Sequence, residues 1–278
     1  MSTVSQSGVG GVGGVAVADG GTGQGSAPRR AFVDHVMGMP ISVHVRGPQA
    51  RGQAVEGAVA ALFAELRDAE AVFSTYRQDS QISRLQRGEL ELADCRPEVR
   101  EVHRLCEAAL VRTDGSFDAW SAVPGRPGVF DPTGLVKTWA LARASRALLD
   151  LPGLGVAVGA AGDILVRSGD GGPAWQIGIE DPRDRTRVLA TVPVEDGGIA
   201  TSGSAARGDH IVDPASGGRA REVISATVVG PSLMWADVFA TEAVARGRSA
   251  AEWVHCLHGT SGLLVLADGT AHRWVNEP

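Results

Sequence analysis

The stretch Gly155-Val156-Ala157-Val158-Gly159-Ala160-Ala161-Gly162-Asp163-Ile164-Leu165-Val166 holds two short apolar runs, 155–158 and 164–166, on either side of a turn. Runs of this length bounded by turn residues read as β-strands. The alternation continues at 175–179, 188–192 and 224–229, and a last strand is expected at 262–267; the pattern predicts antiparallel pairing. Upstream, Ile41, Val43 and Val45 alternate with Ser42 and His44, which predicts another strand. Val55, Ala58, Val59, Leu62 and Leu66 recur at three-and-four spacing, a helix over 50–71. Pro97 opens a second helix, with Val99, Val102, Leu105, Cys106, Ala109 and Leu110 on one face. A third helix is expected over 134–149 and a fourth over 233–246, and 115–133, rich in Gly, Pro and Asp, is loop. A strand, then helices, then strands, a helix and strands predicts an α+β fold rather than a doubly wound α/β one.

Composition narrows the class. The chain has 278 residues, 44% hydrophobic and 21% charged, which suits a soluble globular protein. Its net charge of −6 argues against a nucleic-acid surface, which needs clustered Lys and Arg. No apolar run reaches the ~20 residues that span a bilayer. Three scattered cysteines, Cys95, Cys106 and Cys256, suggest neither a disulfide framework nor a zinc knuckle. Nine of the first 25 residues are Gly, so 1–28 is expected to be a flexible tail and 29–278 the folded domain. With no basic n-region ahead of a long apolar run and no following Cys for a lipid, a cytoplasmic location is expected. All basic residues are Arg except Lys137, and Tyr76 is the single tyrosine. A lone Lys can mark a site that needs a compact ammonium.

Three polar clusters interrupt this framework. In Phe130-Asp131-Pro132-Thr133-Gly134-Leu135-Val136-Lys137 a loop runs into a helix start, where backbone N–H groups and the helix dipole attract an anion. Lys137 would add a positive charge for a phosphate, and Asp131 could accept hydrogen bonds from a base or ribose. A capped helix with a solvated Lys has the same signature. In Ala236-Asp237-Val238-Phe239-Ala240-Thr241, Asp237 and Thr241 share a helix face. A carboxylate plus a hydroxyl suits Mg²⁺, which takes few protein oxygens, although a plain polar face reads alike. The third cluster is Thr201-Ser202-Gly203, then His210-Ile211-Val212-Asp213-Pro214-Ala215-Ser216-Gly217. His210 precedes a tight turn and, with an unperturbed pKa near ~6.5, is either a general base or a structural His. Met37-Gly38-Met39 could shelve an aromatic ligand, Tyr76 could stack on one, and the turn Gly115-Ser116-Phe117-Asp118 could pair with a heterocycle; ordinary packing explains each as well. No GxGxxG sits between an expected strand and an expected helix, as a Rossmann fingerprint requires, and Walker A, HExxH and GxSxG patterns do not occur.

Taken in order, these pieces resemble the ApbE family of FAD:protein FMN transferases. The matches are Met37-Gly38; Phe73-Ser74-Thr75-Tyr76 with 79–83; Gly115-Ser116-Phe117-Asp118; and 131–137, 159–164, 175–182, 200–203, 210–217 and 236–241, covering about residues 31–250. The resemblance implies a T-fold-like architecture of antiparallel sheets with flanking helices. It implies transfer of FMN from FAD to a Ser or Thr hydroxyl of a target protein carrying a flavinylation motif, with Mg²⁺ as cofactor and release of AMP. Met37, Tyr76, Ser116, Phe117, Asp118, Asp131, Lys137 and Ile211 match positions that contact FAD. Gly134 (through its carbonyl), Asp237, Ala240 and Thr241 match the magnesium site, and His210 matches the proton acceptor. The chain departs from the family pattern at Met39, where Thr is usual, at Thr138, where Gly usually follows the Lys, and at Ala161 in a Gly-Gly-Asp turn. Only 12 residues separate Asp118 from Asp131, where many members carry a longer insert. Two rival readings are a Mg²⁺-dependent FAD pyrophosphatase and a non-catalytic FAD-binding protein.

Overall fold

The computed structural model describes residues 15–18, 27–123, 125–203 and 222–278. Its centre is an eight-stranded antiparallel sheet. In chain order these strands are β2 (Arg29–Val36), β3 (Met39–Arg46), β4 (Gly155–Ala160), β5 (Asp163–Arg167), β8 (Asp196–Gly203), β9 (Val223–Gly230), β10 (Ser261–Leu266) and β11 (Ala271–Val275). Across the sheet they run β11-β10-β9-β8-β5-β4-β3-β2. A smaller sheet joins β1 (Val15–Ala18), β6 (Trp175–Asp181) and β7 (Asp184–Val194) in the order β1-β6-β7. Thus four residues inside the Gly-rich segment, expected to be a tail, pair antiparallel with β6. The α+β expectation, with antiparallel sheets and flanking helices, holds.

Strand alternation sends side chains to two cores. From β4 and β5, Val156, Val158 and Leu165 face the core shared with the helices, and Ala157, Ile164 and Val166 face the small sheet through Trp175, Ile177 and Ile179. The helical layer contains α1 (Gln53–Phe73), α3 (Pro97–Arg112), α4 (Thr133–Ala144) and α6 (Leu233–Ala245), with short α2 (Gln81–Gln86), α5 (Arg146–Leu149) and α7 (Ala250–Trp253). On α1 the buried residues follow the expected spacing, Val55, Val59, Leu62, Leu66. The α4 and α6 helices differ, because they are buried nearly all round, α4 between α1 and α6, and α6 against β8 and β9. A helix without a solvent face needs internal partners for any polar side chain it carries. Gly198 allows this packing, since a Cβ there would lie 2.4 Å from Leu233 Cα.

The structure adds β1, β2, α2, β8, α7 and β11 to the expected elements and breaks the third helix at Ser145. Ser145 Oγ donates to the Leu141 carbonyl at 2.7 Å, a back-bond that competes with the helix ladder. No helix among the described residues is long and apolar enough to cross a membrane.

Candidate functional site

The buried polar residues of α4 and α6 meet each other. The Lys137 ammonium pairs with Asp163 at the start of β5 and stands 3.3 Å from Asp237 Oδ2. The three side chains are only 8%, 1% and 5% exposed. Thr138 Oγ1 lies 3.2 Å from the same Asp237 oxygen. Asp237 Oδ1 receives no hydrogen bond from a described residue. One turn along α6, Thr241 Oγ1 shares a hydrogen bond of 3.0 Å with Ser202 Oγ on β8, and Ala240 between them is fully buried. The Thr201 N–H donates to Asp163 Oδ1 at 3.3 Å. Lys137, expected to approach a phosphate as a mobile charge, is thus engaged inside the protein, where a phosphate would compete with two carboxylates.

The loop before α4 is tied down on both sides. The Asp131 N–H donates to the Ala119 carbonyl at 2.7 Å, and Asp131 Oδ1 accepts from the Thr133 N–H at 2.9 Å. The N–H groups of Leu135 and Val136 both donate to the Pro132 carbonyl. The helix start therefore offers fewer open donors than the sequence suggested. Gly134 is exposed, and a methyl group there would sit 3.3 Å from the Phe117 ring. The Asp118 carboxylate accepts from the Trp120 N–H and from Ser121 Oγ.

A third buried carboxylate holds the preceding turn. Glu242, on α6, pairs with Arg246, and Ser116 stands close enough to influence its carboxyl. Arg246 also donates to the Thr113 carbonyl at 3.1 Å and to Asp114 at 2.9 Å. Burial pushes the Glu242 carboxyl above its ordinary range, opposed by the Arg246 charge. Beneath the loop, burial raises the Cys106 thiol to about 12, with Asp131 and Glu107 adding to the shift.

These contacts join Ser116, Phe117, Gly134, Lys137, Asp237 and Thr241 to one region where α4, α6 and the 113–118 turn meet. Met37 and Tyr76 lie on separate turns. Met37 (φ 56°) and Gly38 (φ 72°) are the two central residues of the β2–β3 hairpin, where both must be left-handed. Tyr76 is 96% exposed, with its ring open to solvent. His210 and Ile211 lie outside the described residues. Asp163, Glu242 and Arg246 were not singled out as site residues from the sequence. Glu242 carried a local signal, as a carboxylate inside an otherwise apolar helix, whereas Asp163 and Arg246 gain their meaning from partners distant in the chain.

Comparison with known proteins places these features in context. The sequence pattern of the ApbE family matches residues 37–123 and 124–264. Two relatives named FAD:protein FMN transferase are those of Klebsiella pneumoniae (strain 342), 30% identical over 132 residues, and Escherichia coli (strain K12), 29% identical over 132 residues. In both cases the match covers 44% of this chain and 37% of the relative, so it spans little more than a third of their length. Among solved structures, an ApbE protein from Thermotoga maritima MSB8 superposes with a TM-score of 0.76 at 21% identity, covering 88% of this chain and 97% of that one. The flavin transferase ApbE from Vibrio cholerae gives 0.73 at 19% identity, covering 90% and 97%. At these identities the structural likeness is one of fold.

Proposed function

The chain belongs to the ApbE family, and on that premise we propose that it is a Mg²⁺-dependent FAD:protein FMN transferase. The observation that carries this reading is the arrangement of Asp237. Its Oδ2 is held by Lys137 and Thr138, its Oδ1 has no described donor, and the Thr241 hydroxyl lies one turn away. A carboxylate oxygen beside a hydroxyl is a donor set that fits a hard divalent cation. Asp237 and Thr241, with Ala240 and the Gly134 carbonyl, would hold Mg²⁺. Bound there, the ion supplies neutralisation of the charge that builds on a diphosphate as AMP departs.

The chain's own residues have separable tasks on this reading. Met37, Tyr76 and Phe117 offer flat or apolar surface to the rings of FAD, Ser116, Asp118 and Asp131 offer polar groups, and Ile211 adds an apolar contact. Lys137 balances the carboxylates that flank the diphosphate. His210 accepts the proton of the attacking Ser or Thr hydroxyl of the target protein. The hydroxyl oxygen bonds to the FMN-side phosphorus, the bond from that phosphorus to the bridging oxygen breaks, and AMP leaves. Orientation of the two reactants supplies much of the rate in such a displacement.

The test is incubation with FAD, Mg²⁺ and a substrate domain bearing a Ser/Thr flavinylation motif. In-gel flavin fluorescence on the target, with one AMP released per flavin attached, is the expected result. AMP release without target fluorescence would make the protein an FAD pyrophosphatase, and FAD binding without either would make it a carrier. Asp237→Ala is expected to abolish both reactions, and full activity in that variant would overturn the metal assignment.

A further inference from the structure

Thr138 stands where the family pattern usually has Gly, and its side chain points at the carboxylate just described. It is fully buried, so no bulk water competes for its hydroxyl. That hydroxyl lies 3.2 Å from Asp237 Oδ2 and 3.3 Å from the Leu135 carbonyl. It carries a single hydrogen, and a charged acceptor binds a hydrogen more strongly than a neutral one. The hydrogen therefore goes to Asp237. Lys137 Nζ approaches the same oxygen at 3.3 Å. One hydrogen-bond donor, the Thr138 hydroxyl, and one cation, the Lys137 ammonium, thus face Oδ2 from successive residues of α4, and no donor among the described residues meets Oδ1.

We infer that Thr138 is a positioning residue for a divalent cation: its hydroxyl fixes the carboxylate plane of Asp237 so that Oδ1 is the ligating atom. The inference rests on the metal site proposed above. Lys137 alone attracts Asp237 as a point charge and sets no plane, because a flexible ammonium has no preferred fork geometry. The added hydroxyl supplies the direction. Groups of this kind, one bond removed from the metal, orient ligands and typically change metal affinity by about 10–100-fold.

The experiment is a Mn²⁺ titration of the full chain without FAD, followed by the loss of the free-ion electron paramagnetic resonance signal. Wild type, Thr138→Ser and Thr138→Val are compared, with thermal unfolding recorded for each. The expected result is binding within about twofold of wild type for Thr138→Ser and weaker by about tenfold or more for Thr138→Val, with both variants folded. Should valine prove too tight for the site, Thr138→Ala removes the hydroxyl without adding bulk and is expected to weaken binding likewise. Equal affinity in the folded hydroxyl-free variant overturns the inference and leaves the metal site standing. Equal weakening in the serine and valine variants also overturns it, because the hydroxyl would then not be the determinant. Failure of the wild type to bind Mn²⁺ overturns both the inference and the metal reading beneath it.

Discussion

Replacing Lys137 by Met separates a lysine that balances carboxylates from one that waits for a phosphate. Met keeps most of the length and the apolar stem of the side chain and removes the ammonium with its charge and its donors. Asp163 and Asp237 then lose the ammonium that each of them faces, with all three side chains nearly buried. Removing one partner from a buried ion pair costs about 3–5 kcal/mol. For a chain of this size a loss of 1 kcal/mol lowers Tm by ~2–4 °C, so a fall of roughly 6–20 °C is expected. A thermal scan measures that fall, and urea unfolding without FAD, with and without Mg²⁺, measures the free-energy loss itself. On the proposed metal site, Mg²⁺ at a hundred times its Kd would stabilise the wild type by about 2.7 kcal/mol, and the same ion should raise the variant's midpoint further, because it meets one more unbalanced charge. A variant that loses less than about 1 kcal/mol, the scale of exposed pairs, yet binds FAD poorly, would refute the reasoning. The ammonium would then serve the ligand rather than the carboxylates.

Other expectations follow from the same geometry. Arg246→Met leaves the buried Glu242 without its cation and frees the Thr113 carbonyl, so amide hydrogen exchange should quicken over 113–118 while β4 stays protected. Gly134→Ala should leave Tm unchanged or slightly higher, since Ala favours a helix, but should raise KM for FAD several-fold by pressing on the Phe117 ring. Cys106 ionises near 9 in an unfolded chain and is held up to about 12 in the fold. The folded state therefore keeps a proton that the unfolded state releases, and stability is intact below pH 9 and falls as pH rises toward 12. Urea midpoints at pH ~8 and ~10.5 should show that fall in wild type and a flatter profile in Cys106→Ala. Of the three thiols, the exposed Cys256 should react at once with a disulfide reagent, and the buried Cys95 and Cys106 only on unfolding.

The elements that could be read from sequence are those in which one periodicity dominates. Ile41, Val43 and Val45 mark β3, and Val55 through its three-and-four successors mark α1, because each presents a single apolar face to one core. β2 escaped because it is an edge strand whose Arg29 and Arg30 stay partly exposed, which blurs alternation. β8 escaped because Gly197, Gly198 and Gly203 look like turn residues, whereas Gly198 is small to admit the start of α6. In the site, Asp237 and Thr241 were legible because four-residue spacing on one helix is a local property. Asp163 was not, because what gives it meaning is Lys137 across the sheet–helix interface, and one-dimensional spacing carries no trace of that contact. Thr138 was visible as a departure from the family pattern, and its partner 99 positions away became visible only in the fold.

That separation also has a meaning for how the protein is made. Ribosomes add about 5–20 residues per second, so roughly 5–20 s pass between the synthesis of Thr138 and of Asp237. During that interval α4 exists without α6, its apolar surface uncovered and its ammonium lacking a carboxylate partner from the later helix. The Asp237 cluster can close only once α6 has been synthesised.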